Sequence, residues 1–84
     1  MKIQSSLDWL NVWSNLHTQL DSLPYNPDLY KMLKNIEKMI DDLSKLEVEA
    51  RRIRNTSILQ EKITRINQAI DHLEKLLIIA QLMR

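Results

Sequence analysis

The sequence has no glycine, no cysteine, no phenylalanine and only two prolines, and each shortage removes a class of protein. Tight β-hairpins, phosphate-cradling loops, dinucleotide folds and calcium loops use glycine because it adopts positive φ and lets a ligand approach the backbone. None of them can be argued here. Without cysteine there is no disulfide framework, thiolate zinc site or cysteine nucleophile. Long apolar runs are missing as well. The longest, residues 76–80, has five members, whereas a bilayer span needs ~20. Residues 1–20 lack the basic-then-apolar order of an export signal, so the expected location is the cytoplasm.

What is present is helical periodicity. In residues 5–23 apolar side chains fall at Trp9, Trp13, Leu16, Leu20 and Leu23, with Leu7, Leu10 and Val12 widening the stripe. This spacing predicts an amphipathic helix capped by Ser5 or Ser6. Pro24 and Pro27 end it, and Asn26 as N-cap, Pro27 at the first helical position and Asp28 in the first turn start a second helix over 27–54. Leu29, Leu33, Ile36, Ile40 and Leu43 form its seam, and Leu46, Ala50 and Ile53 continue it after a slip. A third helix, over 57–83, carries Leu59, Ile63, Ile66, Ile70, Leu73, Leu77 and Ala80, with Ser57 and Gln60 spaced as a capping box.

The relation between the second and third segments decides the architecture. The step from Ala50 to Leu59 turns about 900° on a continuous helix, which sets the two apolar stripes about 180° apart. Asn55, Thr56 and Ser57 also place three poor helix formers at that break. An αα-hairpin follows, with a kinked rod as the alternative. The expected fold is all-α: a three-helix bundle in one domain over 1–84, built from a short helix and a long antiparallel helical hairpin. The first helix is expected to lay Trp9 and Trp13 near residues 76–79. Residues 46–66 are then left as a bare two-helix arm, and Met32, Met39 and Met83 fill gaps in the seam. Only ~60–65% of the unfolded surface is buried in so small a domain, so dimerisation through the heptad seams of the two long helices is expected to add stability.

The net charge of +1 hides an uneven distribution. Residues 51–65 hold Arg51, Arg52, Arg54, Lys62 and Arg65 against Glu61 alone, a local balance of +4, and the remainder is −3. Arginine forks pair with phosphates and carboxylates, although cations in a helix's last turn also offset its dipole. Asp41 and Asp42 point about 100° apart on a helix and share no site. His17 and His72 have no serine or cysteine nucleophile placed beside them, and the Glu-x-x-His repeats of a bundle metal centre are missing. Catalytic residues, cofactors and metals are therefore not expected.

All four aromatics, Trp9, Trp13, Tyr25 and Tyr30, lie in the first 30 residues. They serve as core and connector packing, or as interface anchors, since Trp, Tyr and Arg dominate interface energies. The turn from Pro24 to Pro27, followed by Leu29, resembles the Pro-x-x-Pro turn of type III secretion needle subunits, also short helical hairpins. Those have a shorter second helix and a different C-terminal pattern, so the likeness stops at the turn.

The expectation is a small non-enzymatic interaction module, an adaptor, inhibitor or secretion-type chaperone of the bacterial or phage accessory kind. Its partner is another protein or a second copy of itself, met through Arg51, Arg52, Arg54, Lys62, Arg65, Trp9 and Trp13. The alternative is a dimeric nucleic-acid binder that uses the basic hairpin tip.

Overall fold

The structure, a computed structural model, describes residues 1–83. A 3-10 turn at Ser6–Asp8 leads into α1 (Trp9–Asp21), followed by α2 (Pro27–Ile53) and α3 (Ser57–Leu82). No strand forms among the described residues. Helices α2 and α3 make an antiparallel hairpin that fills most of a 49 × 18 × 15 Å body. The rod alternative is excluded, and the all-α three-helix bundle holds.

Each boundary has a local cause. Ser5 caps the 3-10 turn in a capping box with Asp8, whose carboxylate accepts from the Ser5 and Gln4 amides. The helix therefore starts later than expected, at Trp9, and it stops at Asp21, not Leu23. Pro24 disfavours the α conformation for Leu23, and the Ser22 hydroxyl donates to the Gln19 carbonyl at 2.8 Å. Asn26 caps α2 as its sequence implies, accepting from the Asp28 amide at 3.0 Å with Pro27 at the first helical position. At the other turn the expected capping box is replaced. Ser57 donates its hydroxyl to Asn55 Oδ1 at 2.6 Å, and the same oxygen accepts from the Ser57 amide at 3.0 Å.

The hairpin turn closes without glycine. Arg54 sits in the left-handed region at φ 55°, ψ 38°, the only positive φ among the described residues. The Arg54 amide donates to the Arg51 carbonyl and the Asn55 amide to the Ala50 carbonyl, the two bonds of a Schellman ending. A side chain in this conformation costs ~1–2 kcal/mol. Arg54→Gly is therefore expected to stabilise the protein by about 1 kcal/mol, read in a thermal melt as a midpoint rise of about 4–8 °C.

One core joins all the elements, with Leu16, Leu20, Ile36, Leu43, Ile66, Ile70, Leu73 and Leu77 among its fully enclosed members. The seams of α2 and α3 face each other inside this core, so the dimer expected through them has no free seam to use. Toward the tip the seam loosens: Ile53 is exposed and Leu46 and Leu59 are only partly buried. Met32 and Met39 pack against the core as expected, but Met83 is exposed past the end of the seam.

The expected bare arm is shorter than residues 46–66, because the N-terminal segment straps across it. Ile3 is buried to 1% exposure. Its amide donates to Asn67 Oδ1 at 2.7 Å, and its carbonyl accepts from Asn67 Nδ2 at 3.0 Å. One side-chain amide thus satisfies both polar groups of that residue, as a neighbouring strand would. Further along, Glu47 accepts from the Ser6 amide at 2.9 Å and from the Ser6 hydroxyl at 2.5 Å. At the other end of the strap the amino group of Met1 pairs with Glu74 at 2.7 Å.

Candidate interaction surface

The five cations of the tip do not act as one patch. Arg52 forms a bidentate pair with Glu49, which raises the guanidinium pKa through the hydrogen bond. Arg65 pairs with Glu61 at 2.8 Å, and Lys62 reaches across the hairpin to Asp42 at 3.6 Å. Counting Glu49 and Asp42 with Glu61, five cations meet three acids, and the local balance falls from +4 to +2. Among the described residues Arg51 and Arg54 have no carboxylate within 4.0 Å. These pairs are largely solvent-exposed and contribute little stability; their effect is to neutralise the surface.

The tryptophans also lie elsewhere than expected. Helix α1 runs antiparallel to α2, with Trp13 Nε1 donating to Glu37 at 2.7 Å and the Tyr30 hydroxyl donating to Asp21 at 2.7 Å. Trp9 and Trp13 therefore stand over the middle of the hairpin, while the far end of α1 lies beside the end of α3, where Leu23 and Ala80 line one groove. The expected placement put the start of α1, in place of its end, beside residues 76–79. Ile78 and Ile79 remain half-exposed as a result.

The arrangement leaves one continuous apolar strip. Leu7, on the 3-10 turn, is 88% exposed and Leu10, one turn later, is 70% exposed. On one side of Leu7 an open groove is lined by Trp9, Leu10, Trp13 and Glu37. On the other side a second groove is lined by Val48, Leu59, Arg51 and the strap serines. Val48 is itself 60% exposed. The strip therefore runs Trp13, Leu10, Leu7, Val48 and ends at unpaired Arg51, joining two of the residue sets named from sequence. Leu7, Leu10 and Val48 were not singled out as contact residues. For Leu10 the signal is a charge gap: no Asp, Glu, Lys or Arg occurs from Trp9 to Leu20, in a chain that is 27% charged, whereas Leu7 precedes Asp8 and Val48 stands between Glu47 and Glu49. Charge depletion beside aromatic residues marks the centre of protein interfaces.

A polar cluster secures the other end of α1. Asp21 takes the Tyr30 hydroxyl on one oxygen, and its other oxygen lies 3.0 Å from His17 Nδ1. His17 stacks on Trp13 at 4.8 Å between centroids, and Tyr30 packs edge-on against His17 at 6.1 Å. The ladder ties α1 to the start of α2 across the proline turn. The Asp21 carboxylate raises the Tyr30 pKa, first by hydrogen bonding to the neutral phenol, because ionisation would set two anions together. Tyr30 is therefore expected to titrate above an ordinary phenol's ~10, and Asp21→Asn to bring it down, as tyrosinate absorbance reports. A raised folded-state value means that the native state holds its proton longer. This contribution to stability is complete below pH ~10 and lost as pH rises through the folded-state pKa.

Among the described residues no group of three potential metal ligands forms, and no helix is long and apolar enough to cross a membrane. No protein-family model, curated protein or solved structure matches the chain.

Proposed function

We propose that the protein works by binding another protein through the strip from Trp13 to Arg51, as a small interaction module. The observation that carries this reading is Leu7, a large apolar side chain almost wholly in water between two grooves that continue its apolar surface. Scattered exposed leucines are ordinary, but contiguous apolar surface rimmed by polar groups marks a binding site. The strip combines the residue types that anchor interfaces, two tryptophans and an arginine, with exposed aliphatic side chains between them. Adaptor, inhibitor and secretion-type chaperone are all roles such a surface serves.

The test is capture by the immobilised protein from extracts of its source cells, with the wild type set beside Leu7→Asp/Leu10→Asp and a charged-face control, Lys38→Glu. The double substitution is expected to cut capture at least tenfold with unchanged helicity, while the control retains it. Capture also persists in moderate salt if apolar contacts dominate. Equal capture by all three proteins rejects the strip. Bound nucleic acid that dissociates steeply with log salt would support the basic-tip alternative instead.

A further inference from the structure

Resting on that reading, we infer that the occupant of the strip is a second copy of the same chain, paired α1 to α1 about a two-fold axis through Leu10. A two-fold interface sets each residue near the axis against its own copy, so any charge there meets itself. Helix α2 carries lysines and acids in its exposed groove from Lys34 to Asp42, and such a face opposes self-pairing. The outer face of α1 is free of charge from Trp9 to Leu20.

The shapes correspond as well. An antiparallel pairing about Leu10 brings residue 7 of one copy to residue 13 of the other. The protruding Leu7 then enters the open groove that Trp9, Trp13 and Glu37 form beside it. The two Leu10 side chains meet at the axis.

The same operation gives unpaired Arg51 a partner. Interpolating between the Ser6 bond to Glu47 and the Trp13 bond to Glu37 puts Leu10 level with about residue 41 of α2. Arg51 lies about ten residues, ~15 Å, further toward the tip. The point ~15 Å the other way on the second copy is level with about residue 31, where Tyr30 holds Asp21. Asp21 is the only Asp, Glu, Lys or Arg in α1, and its carboxylate is 56% exposed. A cation with no carboxylate of its own and the one formal charge of α1 therefore stand at matching heights.

The strip presents only a handful of residues from each copy, against the ~20–30 a side of a tight pair, so the dissociation constant is expected on the order of tens to hundreds of micromolar.

Sedimentation equilibrium of the whole chain over a wide concentration range tests this, with Leu10→Lys and Leu10→Glu made as a pair and their helicity checked by circular dichroism. The wild type should shift from 10.0 kDa toward twice that mass. Each variant alone should dimerise at least tenfold more weakly, and an equimolar mixture should recover dimer at wild-type strength or better. Arg51→Glu should weaken the wild-type dimer severalfold. A wild type that stays monomeric to roughly 1 mM, a dimer that both Leu10 variants retain, or a mixture no tighter than its components overturns the inference. Any of these, combined with loss of capture by Leu7→Asp/Leu10→Asp, leaves the binding strip in place with a different protein as occupant.

Discussion

Ile3→Ala is expected to lower the unfolding free energy by about 2–4 kcal/mol, as much as truncating a leucine at the centre of the hairpin. Ile3 lies two residues from the N-terminus, where side chains usually contribute little. Its burial to 1% places it in the same enclosed set as Leu43 and Leu73. Removing three carbons there forfeits transfer free energy and leaves a cavity between rigid helices. A domain of this size has a total of only about 4–12 kcal/mol, so the variant should show a much lower urea midpoint at a nearly unchanged slope. Leu7→Ala, four residues on and exposed, should stay within about 0.5 kcal/mol of the wild type. A change below that figure for Ile3 would mean that the strap does not belong to the core.

Asn67→Ala is expected to cost about 1–3 kcal/mol, because it leaves the amide and the carbonyl of Ile3 with no partner in a half-buried seam. The substitution removes little apolar contact, so the loss is of hydrogen bonding. Asn67→Asp separates the two bonds. It keeps an acceptor for the Ile3 amide but turns the donor toward the Ile3 carbonyl into a second carboxylate oxygen, and it should be at least as destabilising. Since Ile3 and Asn67 secure one segment, the double variant Ile3→Ala/Asn67→Ala should lose less than the two single losses combined. Full additivity in denaturant melts would contradict a shared role.

The hairpin was legible because α2 and α3 repeat their apolar positions for many turns, and because the phase break coincides with Asn55, Thr56 and Ser57. Proline and Asn26 made the first turn equally readable. The strap was not legible: an extended segment of a few residues has no helical period, and its docking depends on Asn67, whose amide gives no pattern when it bonds to backbone 64 positions away. The reversal of α1 at the prolines was legible too, but its height along the hairpin is set by the bond from Trp13 to Glu37, between side chains 24 positions apart. Of the candidate site, Trp9, Trp13 and Arg51 were named from residue type alone. Arg52 and Lys62 pair with Glu49 and Asp42, acids that a count over residues 51–65 leaves out, while Arg65 pairs with Glu61, which that count includes. Leu7 and Leu10 were absorbed into an amphipathic stripe although the 3-10 turn and α1 set them outward, a distinction that apolar spacing by itself does not make.

The most direct measurement of the central claim, that the strip is where this protein meets its partner, is site-specific photo-crosslinking in the source cells. A photoreactive side chain is placed at Leu7 in one variant and at Lys38, on the charged face of α2, in another. A discrete crosslinked species from position 7, at twice the protein's own mass or at its own mass plus that of a different protein, with none from position 38, is the predicted result. No discrete species from position 7, or the same species at equal yield from both positions, would contradict it.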